Sequence, residues 1–190
     1  MRTILLIVIL FIAGGCSSKQ PPLKVYTLSA QVSNSPSHRY YRGQTIRVSY
    51  SRSIKEKASY KMRYSYAASE QGTYQNSQWS NNLGRLLQGV LIESLERSHM
   101  FKAVLPYTST LREDYRLESS IFDFSHHVRG EASYAIVSIQ FNLIDIGTGR
   151  LLKSRRFTYK EPTVTTDAKG YVEATNRIMT RLSSDLLRWL

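Results

Sequence analysis

The 190-residue sequence has a single cysteine, Cys16, and only 14 acidic side chains to set against 26 lysines and arginines. With one thiol the chain can form no internal disulfide, and it cannot build a Cys-rich zinc site or an iron–sulfur cluster. Long apolar runs are also missing. The longest, Ile4 to Ala13, covers ten residues, about 15 Å as a helix and half of a ~30 Å hydrocarbon core. The serine elbow G-x-S-x-G, the phosphate loop G-x-x-x-x-G-K-[ST], the zinc helix H-E-x-x-H and a strand-to-helix G-x-G-x-x-G do not occur. What is left is 42% hydrophobic and 11% aromatic, the make-up of a globular chain, and the length suits one domain of ~100–200 residues.

The titratable side chains suggest no chemistry of their own. His126 and His127 are adjacent in a strand-like stretch, so they point to opposite faces and cannot share a metal; exposed or edge positions are expected for both. His38 falls in a polar loop, and His99 falls at a helix end where a cation is favourable. Glu93, Glu96, Asp114, Glu118, Asp123 and Asp145 form no recognisable carboxylate pair. The expectation is a protein that is not an enzyme and carries no metal or cofactor.

Met1–Arg2–Thr3 supplies a positive charge, Ile4 to Ala13 an apolar segment, and Gly14–Gly15 small residues leading to Cys16. This is the layout of an export signal. Ser17 to Pro22 follows as a short polar tether. Residues 1–15 are therefore expected to be a signal peptide, 16–22 a lipidated N-terminus and tether, and 23–190 a single periplasmic α+β domain. The arrangement resembles a bacterial lipoprotein signal, in which the cysteine is diacylated and becomes the first residue. Ala13 stands where such signals usually carry Leu, Val or Ile, and Ala13–Gly14–Gly15 also suits an ordinary signal peptidase. Ser17, in place of the aspartate that often retains lipoproteins at the inner membrane, implies the outer membrane.

Period-two alternation predicts strands at Leu23–Leu28, Gln44–Ser53 and Tyr60–Tyr66, the last two joined through Ser53–Ser59 as a hairpin. In the third, Tyr60, Met62, Tyr64 and Tyr66 share a face. Gln71 to Trp79 reads as loop. Leu83, Leu86, Leu87, Val90, Leu91 and Leu95 make the stripe of an amphipathic helix, capped by Ser80 or Asn81 and interrupted by Gly84 and Gly89, either of which can mark a close approach. Met100–Val104, Tyr115–His126 and Ser133–Ile146 read as strands, and Gly147 and Gly149 turn the chain into Leu151–Lys160. From Gly170 to the end, Tyr171, Ala174, Ile178, Leu182, Leu186 and Trp189 mark a second helix. The order argues for an α+β fold: a mainly antiparallel sheet with two amphipathic helices packed on one face.

Loss of residues 1–15 would leave 25 cations against 14 anions. An exported basic chain meets anionic lipid, cell-wall polymer or an acidic protein rather than nucleic acid. The charge concentrates in Arg39, Arg42, Arg47, Arg52, Lys55, Lys57, Lys61 and Arg63, against Glu56 alone, with tyrosines threaded among them. Such a segment suits phosphates or a protein interface; it equally suits a solubilising face over a tyrosine-bearing core.

The lipoprotein-like signal, the tether, the first strand Val25–Tyr26–Thr27–Leu28 and this element order together resemble the ABC-type transport auxiliary lipoproteins, outer-membrane partners of Pqi and related MCE-type lipid transport systems. Ile46–Arg47–Val48, Trp79 before the first helix, Phe101 to Val104 after it, Phe141–Asn142–Leu143 leading to Asp145–Gly149, and Phe157 carry the likeness. Ser51 to Lys57 lacks the proline usual after the family's second strand. The resemblance implies a non-enzymatic domain on the periplasmic face of the outer membrane. It would work with an MCE-domain protein and ABC transporter components to move phospholipid, with anionic phospholipid and further copies of itself as candidate partners. Lipopolysaccharide-assembly lipoproteins and activators of peptidoglycan synthases share the sheet-plus-two-helices plan and stay open as alternatives.

Two or more acyl chains provide the stable anchoring that one chain cannot. Cys16→Ala should therefore release the protein from membranes and change its processed mass; unchanged fractionation and mass would refute lipidation at Cys16.

Overall fold

The computed structural model describes residues 21–31, 41–53, 59–67 and 69–190. Among these residues nine strands form one mixed sheet: β1 (Lys24–Tyr26), β2 (Thr45–Val48), β3 (Arg52–Ser53), β4 (Lys61–Ala67), β5 (Glu70–Trp79), β6 (Ala103–Pro106), β7 (Tyr115–Arg129), β8 (Ala132–Asp145) and β9 (Arg150–Pro162). Helix α1 (Leu83–Ser98) lies between β5 and β6, and α2 (Ala168–Trp189) ends the chain. The α+β class holds. The longest ladders, β7 with β8 and β8 with β9, are antiparallel, whereas β1, β2, β3 and β6 enter through parallel pairings.

β7 organises the sheet. One edge pairs with β8 from Tyr115↔Asp145 to Arg129↔Ala132. The other is shared end to end by three parallel strands: β2 at Ile46↔Tyr115 to Val48↔Leu117, β3 at Arg52↔Ser120, and β4 at Tyr64↔His126. Beyond β2 lies β6; beyond β4 lie β5 and then β1. The sheet therefore forks. The hairpin expected through Ser53–Ser59 is not formed, because β3 and β4 lie in line along one partner instead of side by side; residues 54–58 are outside the described set.

The buried residues of β7 change parity. Leu117, Ser119 and Ile121 face the helices, and then Phe124, His126 and Val128 do. Ile121 pairs with Ile139 but Asp123 pairs with Ser138, so a bulge supplies one extra residue near Phe122. On β8 the buried face stays at Ala135, Val137, Ile139, Phe141 and Leu143 throughout. The simple alternation expected for Tyr115–His126 holds only as far as Ile121.

Other expectations shift for similar local reasons. Gln71–Trp79 is strand, not loop: its polar residues belong to β5, which hairpins with β4 and buries Ser77 and Trp79. Register irregularities in β4 bury Met62 and Ser65 while Tyr60 and Tyr66 stay exposed, so the four residues from Tyr60 to Tyr66 do not share one buried face. The Gln44–Ser53 segment splits into β2 and β3. Asn82, not Ser80 or Asn81, caps α1, its side-chain oxygen accepting from the Arg85 N–H at 3.0 Å.

Both helices bury their stripes on the same sheet face and touch through Ser94 Oγ–Ser183 Oγ at 2.8 Å. Gln88, buried on α1, donates to the Val48 carbonyl at 2.8 Å. At the far end of α2, Lys153 Nζ donates to the carbonyls of Trp189 and Leu190 at 2.9 and 2.8 Å, where the helix dipole favours a cation.

The two glycines of α1 have opposite meanings. A Cβ on Gly84 would stand 2.3 Å from the Ser51 carbonyl oxygen, whereas one on Gly89 would meet nothing within 4 Å. Gly89→Ala should stabilise by about 1 kcal/mol through helix propensity, and Gly84→Ala should destabilise by about 1–3 kcal/mol. Leu182, which is 0% exposed, should cost about 2–5 kcal/mol on truncation to Ala. Chemical denaturation checks all three; a Leu182→Ala protein as stable as its parent would refute the assigned core.

Candidate binding surfaces

The basic residues expected to act together are dispersed. Arg39, Lys55, Lys57 and the lipidation candidate Cys16 lie outside the described residues. Arg42, Arg52 and Lys61 are exposed, and Arg63 is half-buried. Arg47 differs in kind. Its side chain is 12% exposed and its Nη2 lies 2.7 Å from Oε2 of Glu113, itself 8% exposed. The same guanidinium donates to the carbonyls of Pro106, Ser109 and Leu111. Arg47 therefore staples the segment after β6 to β2, and we correct its assignment to an open basic surface: alternation turned it away from the core, but the loop folded over it.

Glu113 also accepts from Arg116 Nε at 3.1 Å. The Arg47 hydrogen bond, with help from Arg116 and against the effect of burial, holds the Glu113 carboxyl down at about 2. Arg47, Arg52, Arg116, Glu113 and Glu118 line a groove of about 640 Å³ beside β7. Three guanidiniums against two carboxylates leave it with one excess positive charge.

Where the sheet forks there is a cavity of about 210 Å³, bordered by Arg63, Tyr64, Gln71, Asp123, Ser125 and His127. The β7 bulge puts Asp123, Ser125 and His127 on the sheet face away from the helices. Ser125 Oγ donates to Asp123 Oδ1 at 2.6 Å and lies 3.0 Å from His127 Nε2. With its one proton directed to the carboxylate, Ser125 accepts from His127; a base-activated nucleophile needs the opposite polarity. Their spacing of two along a strand was the available sequence signal, but without the bulge it could not be assigned to a face.

His126 is neither exposed nor at an edge, as the sequence had suggested; it is completely buried. Its ring stacks on Tyr171 at 5.2 Å and on Tyr74 at 6.2 Å, and Nδ1 is 2.6 Å from the Tyr74 hydroxyl. Nε2 has no hydrogen-bond partner among the described residues. A neutral ring that accepts from Tyr74 or donates to it is the form this setting tolerates: burial first, and then neighbouring His127, push the imidazole down to about 4. Tyr74 is pushed up, chiefly by burial. Among the described residues no group of three metal-capable side chains could hold an ion, and no helix is long and apolar enough to cross a membrane.

The arrangement defines an α+β domain with one covered sheet face and one open face, its ionic groups gathered in grooves at the strand edges and at the fork. Residues 26–186 match the family model of the ABC-type transport auxiliary lipoprotein component, and the chain belongs to that family. It is thus an auxiliary lipoprotein of ABC-type transport. Protein XCC0632 from Xanthomonas campestris has the same fold, with TM-score 0.76 and 19% identity over 87% of this chain and 94% of that one. A second solved structure, of an uncharacterized protein, gives TM-score 0.68 and 14% identity over 88% and 98%. The PelC dodecamer from Paraburkholderia phytofirmans gives 0.50 and 15% over 78% and 91%. No curated protein matches the sequence.

Two acid-sensitive windows follow from the depressed groups. Each contributes stability that is present above its unfolded value and lost as pH falls through its folded one. His126 should act between about 6.5 and 4, and Glu113 between about 4.5 and 2. Urea titrations against pH should show stability falling in both; His126→Phe should flatten the first and Glu113→Gln the second. Unchanged pH profiles in these variants would refute the assignments.

Proposed function

We propose that the chain is a non-enzymatic lipoprotein on the periplasmic face of the outer membrane, coupling an ABC transporter and an MCE-domain protein in the movement of phospholipid between membranes. The match to the transport auxiliary family across nearly all of the folded region carries the reading. The signal-like segment ending at Cys16 supports the anchor. In this account residues 1–15 are removed, 16–22 form the lipidated tether, and 23–190 form one periplasmic domain. Self-association belongs to the proposal, in keeping with the dodecameric PelC.

Partner contact falls to the exposed cations Arg42, Arg52 and Lys61, with Arg39, Lys55 and Lys57 from the same stretch of sequence and Arg63 at its margin. Arg47 serves the fold instead. Exposed charges of this kind act over about 8 Å at physiological ionic strength and weaken with added salt.

The test is isolation of the tagged full chain from cross-linked cells. MCE-domain and ABC components should co-purify, and reversal of Arg42, Arg52 and Lys61 to glutamate should reduce their yield while thermal stability is retained. Recovery of an outer-membrane barrel or a peptidoglycan synthase instead, or a defined hydrolytic turnover by the purified protein, would overturn the proposal.

A further inference from the structure

The start of α2 stands against the branch of the sheet formed by β4, β5 and β1, and a groove of about 390 Å³ lies between them. Its lining combines three kinds of group: the cations Lys24 and Lys169, the carboxylate Asp167, and the rings of Tyr64, Tyr66 and Tyr74. We propose that this groove binds the headgroup of a membrane phospholipid in which an ammonium is linked to a phosphate, as in phosphatidylethanolamine. The inference rests on the lipid-transport reading above and names where, and on what chemistry, the lipid would be recognised.

The carboxylate separates this site from a simple anion patch. Asp167 caps α2, accepting from the Gly170 N–H at 2.9 Å and from the Thr165 hydroxyl at 2.5 Å, both on Oδ1. Those donors keep it ionised, so a lone anion entering the groove would meet a fixed negative charge. An ammonium gains from it, and gains further from aromatic faces. Tyr64 packs edge-on against both Tyr66 and Tyr74, with centroids 5.1 Å apart in each pair, while Tyr66 is 49% exposed and offers its ring to solvent. Lys24 and Lys169 are exposed, and Lys169 is held only loosely by Glu173 at 3.9 Å. Two cations, one anion and a tyrosine wall complement a zwitterion with its phosphate towards the lysines and its ammonium towards Asp167.

Position points to a membrane lipid over a free compound. Lys24 is eight residues from Cys16, so full extension keeps the groove within about 28 Å of an anchor there. Leu23 and Val25, beside Lys24 at this edge, are both more than half exposed, providing apolar surface next to a headgroup site.

The full chain in non-ionic detergent can be titrated calorimetrically with dihexanoyl-phosphatidylethanolamine, dihexanoyl-phosphatidylglycerol, glycerophosphoethanolamine and glycerol 3-phosphate. The ethanolamine lipid should bind best. Phosphatidylglycerol should bind roughly tenfold more weakly, the step expected from losing a charge-assisted contact. Asp167→Asn retains a capping side chain and should abolish that preference; Tyr66→Ala should weaken the ethanolamine lipid roughly two- to fivefold. Lys24→Gln with Lys169→Gln should weaken both lipids. Equal affinity for the two lipids, binding of glycerol 3-phosphate as tight as that of the ethanolamine compounds, tighter binding of glycerophosphoethanolamine than of its lipid, or indifference to Asp167→Asn and Tyr66→Ala in proteins that melt normally would overturn the proposal. Partner co-purification reads the transport role separately: it can persist when headgroup binding fails, and headgroup binding stays measurable when co-purification fails.

Discussion

A fifteen-residue strand in the middle of a sheet has two rows of backbone donors and acceptors to satisfy, and leaving a buried peptide group without a partner costs a hydrogen bond's worth of free energy or more. β7 meets this demand unequally. β8 alone covers one edge from end to end, with a bulge near Phe122, whereas β2, β3 and β4 divide the other. β3 pairs with β7 alone, but β2 and β4 arrive with neighbours of their own, so a single strand carries two branches: β2 with β6 beneath α1, and β4 with β5 and β1 near the start of α2. The cavity at the fork and the groove beside β1 are both products of that division.

The bulge near Phe122 is the second consequence of β7's length. β8 keeps one parity towards the helices from end to end, and β7 must change its own to keep feeding the same core. The extra residue brings His126 into the aromatic column with Tyr74 and Tyr171, and releases Asp123, Ser125 and His127 to the opposite face. Phe122, at the bulge, lies under the Arg156 guanidinium 3.4 Å away. Two adjacent histidines thereby acquire unrelated surroundings, one excluded from water and the other hydrogen-bonded in a polar array.

Charge in this protein is sorted by the fold and not by its position in the sequence. Arg47 belongs to a run of cations, yet it is consumed by Glu113 and three carbonyls, while Arg42, Arg52 and Lys61 of the same run stay exposed. Lys153 is similarly spent on the end of α2. The cations that border the β1 groove, Lys24 and Lys169, come from opposite ends of the domain and meet because β1 closes the outer branch where α2 begins. A basic isoelectric balance thus resolves into structural pairs, an exposed cationic fringe and a small mixed-charge groove.

Periodicity carried most of the architecture. The two helices, the long strands and the Gly147–Gly149 hairpin were legible because one-sided burial imposes a repeat of about 3.6 or 2 on any sequence that satisfies it. The export-signal layout and the family likeness could also be read directly, since both are linear patterns. Three things were decided only by tertiary contact. β5 reads as loop because its pairing with β4 relies on backbone hydrogen bonds that leave little trace in side-chain polarity. The register of β4 and β7 depends on bulges, which shift every later side chain to the other face without changing composition. Whether a cation is exposed or stapled, as Arg52 and Arg47 illustrate within five positions, depends on which loop folds over it, and local sequence holds no record of a partner more than sixty residues away.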